Sequence, residues 1–285
     1  MEERPMTTMM LDLTCPETLD PLMKVAGPLA KRLSARIVGA HVSPAFEGVA
    51  PIEPFALSDA YYDEIRARYE ADVKKRTKQV DEKLSKVLAA DGSLTGNITH
   101  ATAGPNGIGA KLARLARNYD LVVALQKGKI NRAVAPEVLA LDAGRPVLVV
   151  PEHTSSTDIG SHVMIAWNGT REAARAAFDV LPLVKPEGRI TVVAIDTGQE
   201  DAGKGFVPGD TLARTLARDG LKVEAMSRKL SSKTIGNELL NAASDIGADM
   251  IAMGAYGHTR WRELVFGGAT RSIVDQITVP VLMAH

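Results

Sequence analysis

Asp249 to His285 reads DMIAMGAYGHTRWRELVFGGATRSIVDQITVPVLMAH. It opens on an apolar run, Met250 to Met253, short enough for a strand buried on both faces. Gly254, Gly257 and the pair Gly267–Gly268 follow, then a helix-like segment from Ala269 to Gln276 and a second apolar run after Pro280. A strand, a glycine-rich loop, a helix and a strand in that order present backbone N–H groups to an anion. The glycines let the main chain approach phosphate oxygens with no Cβ in the way, and the helix N-terminus adds favourable partial charge. Periodicity alone therefore predicts one half of a doubly wound α/β sheet carrying an anion site.

The rest of the chain repeats this plan. In the first half, strands are expected at Met9–Leu13, Arg36–Val42, Ile98–Ala101, Leu121–Leu125 and Pro146–Val150. Helices are expected after the turn at Cys15, at Asp59–Ala90 and at Ile108–Arg117, with Gly27 and Pro28 weakening the first of them. The loop Pro44–Phe55, rich in proline and aromatics, is read as lying on the surface or at an interface. In the second half, strands are expected at Val163–Trp167, Arg189–Ile195 and Val223–Met226, and helices at Glu172–Leu181, Asp210–Asp219 and Asn237–Ile246. The polar stretch Pro151–Asp158 reads as a linker, which gives domains at 1–152 and 160–285. Asp120 and Gly128 are eight residues apart, as are Asp249 and Gly257, and both copies close on Pro-Val-Leu. The first copy has Leu125 at the place of Gly254, and it spans 18 positions from Gly128 to Pro146 against 23 from Gly257 to Pro280. The five missing residues fall in the loop, so only the second copy keeps it.

Composition narrows the function. At 285 residues, with 45% hydrophobic and 24% charged content, both halves can bury a core. The formal net charge is zero, which lacks the basic excess of a nucleic-acid or membrane-surface binder. No apolar run approaches the length of a spanning helix, and the N-terminus MEERPMTT has no apolar signal core. With Cys15 as the single cysteine, the expectation is a reduced, cytoplasmic protein.

Two residues separate Gly254 from Gly257 and nine separate Gly257 from Gly267. That spacing, with the flanking Asp249 and the closing Pro280-Val-Leu-Met, resembles the phosphate loop of the universal stress protein family. The resemblance implies two Rossmann-like domains of the adenine nucleotide alpha hydrolase type. Each would hold a mostly parallel five-stranded sheet flanked by helices, and the two would pack through their last strands as an internal pseudo-dimer. It implies ATP or ADP, with Mg²⁺, bound by the second domain. Gly254, Gly257, Gly267, Gly268, Ala269 and Thr270 would surround the phosphates, and Asn168, Ala166 and Ala194 would meet the nucleoside. Gly268 stands where the family carries a serine or threonine, and Thr270 is the hydroxyl available to replace it.

Each candidate has a plainer reading beside it. Asn168 stands at the family's aspartate position, where an amide can read a base edge or a ribose hydroxyl, or simply hold a turn. Ala194 and Ile195 suit sheet core as well as an adenine wall, and Trp167 is read as core. Arg260, Arg262 and Arg271 can pair with phosphate oxygens, although solvated arginine is the commoner fate. His258 has no second ligand at metal spacing, and the other histidines form no recognisable cluster. No nucleophile elbow, HExxH motif or Walker lysine is present. The expectation is a nucleotide-binding stress-response sensor with an unidentified protein partner, able to pair further as a homodimer. A nucleotide-free interaction module and a slow ATP hydrolase are the alternatives.

Overall fold

The computed structural model describes residues 6–48, 59–104, 106–126, 134–154, 157–196, 209–255 and 273–285. The first half alternates β1 (Thr8–Asp12), α1 (Leu19–Leu33), β2 (Arg36–Ser43), α2 (Asp59–Ala90), β3 (Gly96–Thr102), α3 (Gly107–Ala116), β4 (Leu121–Leu125), α4 (Pro136–Asp142) and β5 (Val147–Val150). The second half follows with β6 (His162–Ala166), α5 (Arg171–Asp179), β7 (Arg189–Asp196), α6 (Asp210–Arg218), β8 (Lys222–Lys229), α7 (Ile235–Ile246), β9 (Met250–Gly254) and β10 (Val281–Ala284).

The ten strands among the described residues form one sheet in the order β3-β2-β1-β4-β5-β10-β9-β6-β7-β8. Each half thus contributes strand order 3-2-1-4-5, and strand order reverses beside its first strand. Pairing is parallel throughout except at the junction, where β5 and β10 run antiparallel with Val281 opposite Val149 and Met283 opposite Val147. These junction residues are fully buried, and the apolar layers on both faces run across them from one half to the other. The internal pseudo-dimer through last strands is what the chain forms. Because the halves share one core, they are expected to stabilise each other.

Alternation within the strands explains the two layers. Met9, Leu11 and Leu13 face α1 and the C-terminal part of α2, while Met10 faces the layer of α3 and α4. Pro28 lies inside α1 without ending it, since Leu22, Val25, Ala26, Leu29 and Ala30 on the same helix are all buried. Packing outweighs the lost N–H. One short helix, α4, went unforeseen. Phe46 is 8% exposed and stacks on Tyr62 and Tyr69 of α2, which corrects the surface reading at that residue; residues 49–55 of the same loop lie outside those described.

An aspartate before the fourth strand ties down the first strand in both halves. Asp120 Oδ2 accepts hydrogen bonds from the N–H groups of Thr7 and Thr8 (both 3.0 Å) and from the Thr8 hydroxyl (2.8 Å). Asp249 accepts from the N–H groups of Gly160 (2.9 Å), Ser161 (2.8 Å) and His162 (3.2 Å). For Asp120, burial alone would raise the carboxyl pKa, but the bonds from Thr7 and Thr8 outweigh it and hold it low. A depressed folded pKa stabilises the protein above the ordinary carboxyl value and is lost as pH falls through the folded one. Wild type should therefore be more stable than Asp120→Asn at neutral pH, and the gap should close below about pH 4. Thermal melts from pH 7 to 3 would show it; a pH-independent gap would contradict this reading.

Candidate functional site

In a parallel sheet of this kind the ligand end is the carboxyl edge, where strand order reverses. For the second half that is the end of β6, β7 and β9. Trp167 continues β6 by donating its N–H to Val193 O (2.8 Å), and the chain then turns through Asn168 and Gly169 into α5. Asn168 Oδ1 accepts from the Thr170 N–H (3.2 Å) and hydroxyl (2.8 Å). Thr170 in turn caps α5, its oxygen accepting from the Ala173 N–H at 3.3 Å. Because the Thr170 N–H can only donate, the amide oxygen of Asn168 is committed to the turn, and its NH₂ remains the group that can face a ligand.

Gly254 closes this corner from below. A Cβ there would lie 2.7 Å from Ala173 N and from Glu172 C, and 2.8 Å from Glu172 Cβ. Glycine is therefore what allows the N-terminal turn of α5 to rest on the end of β9. The Glu172 side chain is 5% exposed and pairs with Arg171 Nε at 2.5 Å. Burial pushes its carboxyl up, while Arg171 and the Glu172 N–H pull it down more strongly, so it stays ionised.

Ala166 ends β6 and Ala194 lies two residues before the end of β7, but they point to opposite faces of the sheet, since Ala194 follows Val193 by one residue and Val193 shares the layer of Ala166. The structure brings Asn168, Gly254 and the α5 N-terminus together; the two alanines meet that corner only through the strand ends. Trp167 is half-buried against the layer of α5 and α6, and a Cβ at Gly209 would lie 3.3 Å from its ring. Gly257, Gly267, Gly268, Ala269 and Thr270 lie outside the described residues, as do His258, Arg260, Arg262 and Arg271. Of the expected helix 269–276, only its last four residues are described, with Ile273 and Val274 helical and buried.

The first half gives an internal comparison. Thr8 pairs with Arg36 as His162 pairs with Arg189, and Met9 pairs with Leu121 as Val163 pairs with Met250. By that register Asp12 occupies the place of Ala166, His41 that of Ala194, and Leu125 that of Gly254. Asp12, His41 and Leu125 are 8%, 3% and 1% exposed. Larger side chains thus fill the strand ends of the first half where the second half has two alanines and a glycine. His41 donates through Nδ1 to Leu13 O (2.9 Å), and burial drives its pKa down, so the ring is neutral and cannot serve as a cation for phosphate. The rings of His41 and His100 lie 5.8 Å apart, and His100 Nε2 bonds Asp81 at 2.8 Å. Strand register brings His41 opposite His100, which no sequence spacing announces. Among the described residues no three His, Cys, Asp or Glu side chains are arranged to hold a metal ion, and no helix is long and apolar enough to cross a membrane.

Residues 162–285 match the model of the universal stress protein family. The crystal structure of a universal stress protein from Archaeoglobus fulgidus DSM 4304 is similar to the chain, with 17% identity, a TM-score of 0.65 and coverage of 97% of this chain and 95% of that one. A functionally unknown protein from Pseudomonas aeruginosa PAO1 is 14% identical with a TM-score of 0.54, covering 98% and 92%. At such identities the likeness shows the fold, and it extends over both halves. No curated protein matches the sequence significantly.

Proposed function

From the match of residues 162–285 to the universal stress protein family, we propose that the chain is a tandem of two such domains, 1–152 and 160–285, the second of which binds an adenine nucleotide. In this reading it is a cytoplasmic stress-response protein that senses ATP or ADP rather than turning it over. The supporting observation is the contrast between the halves. Small residues, Ala166, Ala194 and Gly254, stand at or within two residues of the carboxyl ends of the strands of the second half, where Asp12, His41 and Leu125 stand in the first.

Asn168 and Ala194 would meet the nucleoside. Gly257, Gly267, Gly268, Ala269 and Thr270 would offer backbone and hydroxyl donors to the phosphates. Gly254 contributes by bringing α5 close beneath them. Mg²⁺, when bound, would neutralise phosphate charge, which matters beside the buried, ionised Glu172. The chain's own part is to orient the nucleotide and order the loop around it, so that binding favours one conformation over another.

The test is to denature freshly purified protein and identify released nucleotide by chromatography and mass spectrometry. Wild type should release ATP or ADP, and Gly257→Val, whose side chain blocks backbone approach to phosphate, should release at least tenfold less, roughly the loss that forfeiting two or three donors implies. Empty wild type with no melting shift at millimolar ATP, ADP or AMP would sink the proposal, since a ligand of the native state must stabilise it. The nucleotide-free interaction module would then take its place. Phosphate release above blank, lost in Gly257→Val, would instead point to the slow hydrolase.

A further inference from the structure

The halves differ most in their second crossover. α2 runs for 32 residues, whereas α6 in the second half has nine. Only the C-terminal part of α2 packs on the sheet, with Val80 and Leu84 buried. From residue 60 to 79 every position is exposed or half-buried. Helices here run antiparallel to the strands, so this part, about 30 Å long at 1.5 Å per residue, leads past the carboxyl edge of the sheet.

One face of the projecting segment is already covered. Phe46 stacks on Tyr62 (5.3 Å) and Tyr69 (5.6 Å), Arg66 lies over Phe46, and the Tyr69 hydroxyl donates to Pro44 O. The opposite face, with Ala60, Glu64, Ala67, Ala71, Lys74 and Lys78, is exposed.

The sequence of this segment is antisymmetric in charge about Tyr69. Counting outward, Arg68 is matched by Glu70, Arg66 by Asp72, Glu64 by Lys74 and Asp63 by Lys75, while Ala67 matches Ala71 and Ile65 matches Val73. Every charged position from 63 to 75 has its opposite at the mirrored position. Two such helices laid antiparallel with Tyr69 at the same level bring opposite charges to every level. Laid parallel, they bring each charge to its own copy. At about 100° per residue, Glu64 and Lys75 share one flank of the exposed face and Asp63 and Lys74 share the other. Across an antiparallel contact, Glu64 then meets Lys75 of the second copy, and Asp63 meets its Lys74. Alanine at 67 and 71 leaves the backbones free to approach.

From this complementarity we infer that two copies of the chain associate through the outward face of residues 60–78, antiparallel about Tyr69. This surface is separate from the nucleotide corner of the second half and from the β5–β10 junction. Within one chain Glu64 pairs with Arg68 at 2.6 Å, so association exchanges part of an exposed intrahelical pair for contacts between copies. The contact is short and polar, so the dimer is concentration-dependent and weakens with salt.

Sedimentation velocity on the full chain tests it. Wild type should dimerise as concentration rises, and the dissociation constant should increase at least tenfold, since the ion pairs on both flanks become like-charge contacts, in Asp63→Lys/Glu64→Lys and again in Lys74→Glu/Lys75→Glu. All four positions are exposed, so both variants should keep wild-type circular dichroism and melting. Mixed one to one, they should form a heterodimer, because each altered charge then meets its opposite. A wild type that stays monomeric at about 100 µM overturns the inference, given that interfaces of this class reach micromolar affinity. So do variants that dimerise like wild type, or a mixture that fails to recover.

Discussion

Gly254→Val should lower the unfolding free energy by about 2–3 kcal/mol with no nucleotide present, the usual penalty for forcing atoms into a packed site. An ideal Cβ at this position lies 2.7 Å from two backbone atoms of the α5 N-terminal turn, Ala173 N and Glu172 C. Backbone cannot swing aside as a side-chain tip can. The helix must lift from β9, and with it Ala173, Ala176 and Ala177, which are buried beneath it. Urea unfolding followed by circular dichroism measures the loss, and Gly257→Val serves as the contrast, since its expected effect is on nucleotide. A Gly254→Val protein as stable as wild type, yet free of nucleotide, would show that this glycine serves the ligand directly and that the packing account is wrong.

That distinction could not be drawn from the glycine spacing. A glycine that admits a phosphate and one that admits a helix are spelled the same way, and only the position of Glu172 and Ala173 separates them. What was legible followed local periodicity. The apolar run after Asp249 is β9, and Asp59–Ala90 is α2 at its full length, because apolar residues recurring at three and four mark a helix without help from the rest of the fold. α4 was not legible. It has seven residues and buries only Pro136, Leu139 and Ala140 among its apolar side chains, too few to show a period. The meeting of His41 with His100 depends on strand register, and the filling of the first-half strand ends became visible only when the two halves were aligned through that register. The internal repeat was clear from Asp120 and Asp249, but what those aspartates do was not.

Asp249→Ala is expected to cost about 2–4 kcal/mol, because it leaves three N–H groups of the β6 entry without their acceptor. Gly160, Ser161 and His162 all donate to this one carboxylate, at 2.8 to 3.2 Å, and Asp249 itself donates its N–H to His162 O at 2.9 Å. The carboxylate thus closes a ring that fixes where β6 begins beside β9. A one-residue slip there would turn Val163 and Ile165 from one layer to the other. Asp249→Asn keeps one acceptor oxygen and should cost less than alanine. Asp120→Ala should behave alike in the first half, where Thr7 and Thr8 lose the same support. Since the apolar layers are continuous through β5 and β10, both variants should shift one shared unfolding transition rather than melt one half and spare the other. Calorimetry decides this. Two separated transitions in Asp249→Ala, with the upper one at the wild-type temperature, would mean that the halves unfold independently and that the shared core does not couple them.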